Sequence, residues 1–204
     1  MAQYQGPSIL AYNSARFQEA DFASIQRIGD SLKKATSKGS KTGRFGIGFN
    51  SVYHLTEVPQ FVSGKNVVWF DPHATSLPGV NPANPGKMVD FRKNSALVTK
   101  FSDQFEPLMA FGCDFKREFN GTLFRFPLRT PEQAAVSRIS HKGHAPEEAA
   151  SLLRDLADEA SAMLLFLKNL ETVEVYEWEP GSSAPSLLFE SHVANASEIG
   201  RAHV

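Results

Sequence analysis

Gly43-Arg-Phe-Gly46-Ile-Gly48-Phe49 runs straight into Asn50-Ser-Val-Tyr-His-Leu55, a segment with the composition of a helix. Glycines placed just before a helix let backbone N–H groups converge on an anion without obstruction by a Cβ. The spacing is G-x-x-G-x-G, not the G-x-G-x-x-G of a dinucleotide fold, and no strand leads directly into it. The Gly-Lys-Ser/Thr ending of a P-loop is missing as well, so neither of those nucleotide readings holds. Lys33, Lys34, Lys38, Lys41 and Arg44 precede or interrupt the motif with no acid among them, which suits a polyphosphate. The competing reading is a tight turn that caps a buried helix, its charges merely solvated. On the local signal alone the two weigh equally, because short glycine motifs recur by chance.

Upstream of the motif, residues 29–43 show no apolar periodicity and read as a basic loop. Residues 18–28 place Phe22, Ile25 and Ile28 at three-residue steps, with Glu19 and Asp21 in the first turn. That is a short amphipathic helix with its acids at the positive end of the dipole. Ser8-Ile-Leu-Ala-Tyr12 reads as a buried strand, ended by the turn-prone Asn13-Ser14.

Downstream, Gln60-Phe-Val62, Ser63-Gly64-Lys65 and Asn66-Val-Val-Trp-Phe70 read as strand, turn, strand. Pro72, Pro78, Pro82 and Pro85 mark residues 72–86 as a surface excursion. Residues 101–111 form one or two helical turns, and Gly121-Thr-Leu-Phe-Arg-Phe-Pro-Leu-Arg129 is a strand. Residues 131–146 are polar and loop-like. Leu153, Leu156, Ala157, Ala160, Leu164 and Leu167 then lie on one stripe of a helix over 147–170, followed by a hairpin of 172–178 and 187–193. With no repeat and no dividing linker, residues 1–197 are expected to be one domain. The order of elements predicts an α/β (α+β) fold, a two-layer sandwich with helices on one face of a mixed sheet.

Composition narrows the function. The 204 residues are 42% hydrophobic and 21% charged, so the chain is not disordered as a whole. Lys and Arg total 21 against 22 Asp and Glu, which removes the basic footprint of a nucleic-acid binder. No apolar run nears the ~20 residues that span a bilayer, so no membrane partner is expected. The N-terminus lacks signal-peptide regions, and the lone Cys113 fits a reducing compartment. A cytoplasmic location follows as the expectation. Sixteen Phe against 4 Tyr and 2 Trp imply a bulky core.

The stretch from Gly43 to Thr56 closely resembles the Sacsin/Nov domain. That family is a branch of the GHKL ATPase superfamily shared by gyrase, the ninety-kilodalton heat-shock chaperone, histidine kinases and MutL. Gln5-Gly-Pro-Ser-Ile-Leu-Ala-Tyr-Asn13, Ile25-Gln-Arg-Ile-Gly29, Phe70-Asp-Pro-His73, Ser102-Asp-Gln-Phe105, Gly121 to Arg129 and Leu164-Leu-Phe-Leu-Lys-Asn-Leu170 resemble it too, in the same order. The resemblance spans roughly residues 5–193. It implies a two-layer sandwich of the Bergerat type, incomplete at its N-terminus, and a fragment of a chaperone or co-chaperone that binds ATP with Mg²⁺. Its partners would be client proteins or other chaperones. A nucleotide-independent interaction scaffold is the alternative, and a plant-type Nov domain without chaperone activity a further one.

Residue by residue, the resemblance gives the phosphates to the glycine-rich lid of Gly43, Gly46, Gly48 and Phe49, with Lys41 and Arg44 alongside. It gives the adenine to Thr122, acting with a water, and to Asn13. Asn13 stands where the superfamily has the first Asp of D-x-G-x-G, while Ala15 and Phe17 replace the two glycines. Asn still presents an acceptor carbonyl but brings no charge. The superfamily's Mg²⁺-holding Asn and water-activating Glu would lie before Gln5, so no catalytic residue is assigned. Glu19 and Asp21, the nearest carboxylates, are read as dipole partners.

His141 and His144 lack the further ligands of a metal site, so no metal ligand is assigned, and Cys113 reads as a small buried hydrophobe. His73 reads as a turn cap. Glu198-Ile-Gly-Arg-Ala-His-Val204 matches the in-frame translation of a common sequencing-library adapter, the alternative being a natural exposed terminus. Residues 198–204 are therefore left out of the functional reading. Without a Mg²⁺-holding Asn and a base, this chain is expected not to hydrolyse ATP. A phosphate-release assay should give the same rate for the chain and for Gly48→Val; turnover that Gly48→Val abolishes would reveal a complete active site.

Overall fold

The computed structural model describes residues 2–26, 47–167 and 169–193. Its strands are β1 (Ser8–Asn13), β2 (Gln60–Gly64), β3 (Asn66–Phe70), β4 (Gly86–Asp90), β5 (Phe119–Pro127), β6 (Thr172–Glu177) and β7 (Ser186–His192). The α-helices are α1 (Glu19–Gln26), α2 (Ile47–Asn50), α3 (Ser95–Lys100), α4 (Ser102–Phe105), α5 (Pro131–Val136) and α6 (Pro146–Phe166). Two compact units emerge, Met1–His144 and Ala145–Val204. No helix among the described residues is long and apolar enough to cross a membrane.

In the first unit five strands form one sheet, ordered β1-β5-β2-β3-β4. The mixture of sheet and helices is as expected, but every pairing is antiparallel, so the sheet is not mixed. The centre is the hairpin read from the sequence. Ser63 faces Asn66 across the two-residue loop Gly64-Lys65, and Gly64 sits at φ 57, which glycine enters without strain. All of β2 is buried, and its alternate side chains serve two cores. Phe61 joins Ile25 and Val68, with Phe17, Phe22, Phe49, Phe70 and Phe124 packed around them. Val62 joins Val67, Trp69, Phe105, Leu108 and Leu123 in the other. Helical segments therefore cover both faces, where the sequence suggested one.

Other departures are local. The strand at 8–13 is an edge strand, half-buried at best, not a buried one. β4 pairs with β3 at the end of the Pro-rich excursion, which hid it. Residues 131–136 are helical, not loop: Pro131 fills the first turn, and Thr130 and Gln133 form a reciprocal capping box. Half of that device starts α1, where the Asp21 carboxylate accepts from the Gln18 N–H at 2.8 Å.

Arg129, just beyond β5, is fully buried. Its guanidinium donates to the carbonyls of Tyr53 (2.6 Å), His54 (2.8 Å), Thr56 (3.2 Å) and Lys142 (3.3 Å), and it pairs with the Glu57 carboxylate. The Ser137 hydroxyl donates to the same carboxylate at 2.6 Å. Three of those carbonyls belong to the end of the helical segment that begins at Ile47 and continues as a 3₁₀ turn, Ser51–His54, or lie just past it. A cation placed there satisfies orphan carbonyls and opposes the helix dipole.

The second unit follows its sequence pattern. Pro146 opens α6 with Glu147 and Glu148 in the first turn, and Ala149, Ala160 and Leu164 are buried. The helix packs on the antiparallel β6–β7 hairpin, and Arg154 pairs with Glu177 at 3.1 Å.

Arg129→Met keeps the side-chain volume but takes the guanidinium from four carbonyls, of which that of His54 keeps His144, and leaves the nearly buried Glu57 carboxylate with the Ser137 hydroxyl but no cation. It should cost about 3–5 kcal/mol. Urea unfolding checks this, and Glu57→Gln on the Arg129→Met background should cost much less than it does alone.

Candidate functional site

β1 and β5 pair with Asn13 directly opposite Thr122, so both side chains stand on one face of the sheet. By alternation it is the face that carries Phe61 and Phe124. The close approach depends on Gly121, at φ 155. A Cβ there would lie 2.7 Å from Tyr12 Cε2 and 2.8 Å from the Asn13 carbonyl oxygen. On the other side, the β2–β5 register shifts between Ser63 and Gly64. The Gly121 carbonyl beside this irregularity accepts from the Ser63 hydroxyl at 3.0 Å.

Thr122 and Ser63 have no exposed surface, and their hydroxyls are 2.9 Å apart. The Thr122 hydroxyl donates to the Ala15 carbonyl at 2.7 Å, and Ser63 Oγ accepts from the Phe17 N–H at 2.9 Å. Each hydroxyl has a single proton. With the Thr122 proton on Ala15, the Ser63 proton is shared between the Gly121 carbonyl and Thr122 Oγ1. The outcome is a relay, Phe17 N–H to Ser63 to Thr122 to Ala15 C=O, whose two central hydroxyls are buried and whose links reinforce one another. Asn13 Oδ1 accepts from the Ala15 N–H at 3.1 Å. Both ends of Ala15 are thus held by the two residues assigned to adenine.

Of the glycine motif, Lys41, Gly43, Arg44 and Gly46 lie outside the described residues, as does the whole basic loop. Gly48 and Phe49 lie in α2. The Phe49 ring packs edge-on to Phe70 (5.4 Å between centroids) and tilted against Phe124 (6.1 Å). It pins the helix to the face that carries Asn13 and Thr122, while Arg129 holds the carbonyls at the helix's far end.

A family model described as the Sacsin domain matches residues 1–190. The chain belongs to the Sacsin domain family. Sacsin of Homo sapiens is 39% identical over 196 residues, covering 92% of this chain and 4% of that protein's own length.

Other parts of this Sacsin domain resolve into structural roles. In Phe70-Asp-Pro-His73 the turn cap is Asp71, not His73: its buried carboxylate accepts from the backbone N–H groups of Thr75, Ser76 and Leu77. His141 Nδ1 lies 3.2 Å from the Ala134 carbonyl and His144 Nε2 lies 2.9 Å from the His54 carbonyl. Among the described residues, no three His, Cys, Asp or Glu side chains are grouped to hold a metal. Burial pushes the Cys113 thiol up to about 11, so it is a poor nucleophile at neutral pH. Ser63 is the site residue the sequence reading missed. Ser63-Gly64-Lys65 reads as a turn, where a serine is ordinary, so only the burial of Ser63 in the sheet sets it apart.

Gly121→Ala should push β1 off β5 and cost about 1–3 kcal/mol, since one of the atoms met is backbone. Gly6→Ala is the control, with nothing within 4 Å of its Cβ. Equal denaturation midpoints for the two variants would contradict the close approach.

Proposed function

We propose that this Sacsin domain binds an adenine nucleotide on the sheet face of Asn13 and Thr122, as the ATP-binding part of a chaperone. The observation that supports this most is the pairing of Asn13 with Thr122, which sets a carbonyl acceptor beside a hydroxyl donor. An aminopyrimidine edge, with an amino donor next to a ring-nitrogen acceptor, is the complement of that pair. The groups fit an adenine once Ala15 has released them. Phosphates would fall to the glycine motif, whose last residues, Gly48 and Phe49, lie in a helix on the same face. A Bergerat-type arrangement is consistent with this placement. Bound ATP would supply a cleavable phosphoanhydride; the residues named here bind and orient it. No described residue is assigned to Mg²⁺.

A cytoplasmic chaperone that engages client proteins or other chaperones is the setting this reading implies. The nucleotide-independent scaffold has one observation in its favour: Asn13 Oδ1 and the Thr122 hydroxyl already have partners within the domain.

Titration calorimetry with Mg·ADP separates the two. The chain should bind, and Gly48→Val should weaken binding about tenfold or more, because a side chain there obstructs the approach of backbone to phosphate. Substitutions at His141 and His144 should change it far less. Equal affinity for wild type and Gly48→Val would remove the phosphate cradle, and no binding at all would leave the scaffold.

A further inference from the structure

We infer that the loop at 13–17 is a built-in competitor for the nucleotide: the Ala15 backbone occupies the groups that would read adenine. The inference rests on the nucleotide-binding reading above and adds a regulation to it. Ala15 presents an N–H to Asn13 Oδ1 and a C=O to the Thr122 hydroxyl, at 3.1 and 2.7 Å. A donor directed to Asn13 and an acceptor directed to Thr122 are what an aminopyrimidine edge would offer the same two side chains. The self-contact is reinforced from behind, since Ser63 holds the Phe17 N–H and its hydroxyl abuts that of Thr122. Phe17 adds an apolar latch, its ring packed at 4.9 Å from Phe61 and 5.4 Å from Phe22. Ala15 itself is exposed, so its peptide can swing away from Asn13 and Thr122 while the Phe17 ring stays on its core.

A ligand meets this loop as a conformational tax: only molecules with Ala15 displaced can bind, and apparent affinity falls by their fraction. Weakening the closed loop while keeping Asn13 and Thr122 intact must therefore tighten binding. Two substitutions do so from different sides. Ala15→Pro deletes the N–H that Asn13 accepts, and Ser63→Ala deletes the hydroxyl that holds Phe17 and backs Thr122.

The full chain and both variants would be titrated with Mg·ADP by calorimetry, with thermal melts to confirm folding. Amide hydrogen exchange at Ala15 and Phe17 would be followed in the wild type, with and without Mg·ADP. Each variant should bind about fivefold tighter than wild type, the equivalent of one neutral hydrogen bond removed from the closed state. In the wild type both amides should be protected when free and should exchange faster on saturation, the reverse of ordinary ligand protection. Folded variants that bind no tighter, with exchange unmoved by ADP, would overturn the competitor and leave nucleotide binding standing. Failure of all three proteins to bind at millimolar ADP would overturn both. Should Ala15→Pro not fold, Ser63→Ala and the wild-type exchange decide alone.

Discussion

β5 and its extension bury three polar side chains that water cannot reach, Thr122, Arg125 and Arg129. A buried donor left without a partner costs roughly 1–3 kcal/mol, more if charged, so each must find its acceptors inside the protein. Where they find them sets the surrounding loops. Thr122 takes the carbonyl of Ala15 and fastens the connection between β1 and α1. Arg125 takes the carbonyls of Tyr4 (2.6 Å) and Gly6 (3.0 Å) and fastens the segment before β1. Arg129 takes the carbonyls around residues 53–57 and fastens the end of the helix that the glycine motif enters. One strand thus positions three pieces of chain that lie far from it in sequence.

The two arginines solve the same problem differently. Arg129 has a carboxylate, Glu57, and four carbonyls. Arg125 has carbonyls and the Gln60 amide oxygen alone, and burial lowers its guanidinium to about 10. It still stays cationic at neutral pH. Carbonyl dipoles suffice because the guanidinium is planar and weakly hydrated, and it spreads its charge over several donors.

Much of this was legible from local pattern, and the rest was not for definite reasons. The β2–β3 hairpin, α1 and the stripe of α6 could be read because their period and turn residues lie within a dozen positions. β4 was lost because the prolines beside it signal a loop more loudly than Lys87-Met-Val89 signals a strand. α5 was missed although its capping box, Thr130 to Gln133 with Pro131 between, was present in the sequence. The partnership of β1 with β5 could not be read from either strand, since what aligns them is a contact between residues 13 and 122. Arg125 and Arg129 stand among apolar neighbours in the quoted strand, and nothing short of the three-dimensional arrangement shows that they point inward. The candidate site divides likewise: the glycine motif and Thr122 could be named as candidates from the sequence, while Ser63 and the engagement of Asn13 with Ala15 depend on packing.

That engagement also explains why the loop has two satisfied states rather than a continuum. When Ala15 leaves, the Thr122 hydroxyl keeps its place on a buried sheet face and loses its acceptor. An open loop with an empty site would leave that donor to water and break a relay whose members strengthen one another. The states that keep a fixed acceptor are the closed one, in which Ala15 serves, and an occupied one, in which a ligand serves in its place. Glycines at 15 and 17 would loosen the closed state by enlarging the freedom of the open chain, and would leave no ring to bury against Phe61. Alanine and phenylalanine at those positions favour closure. The departure from D-x-G-x-G thus acts on the equilibrium of the loop as much as on the chemistry of recognition.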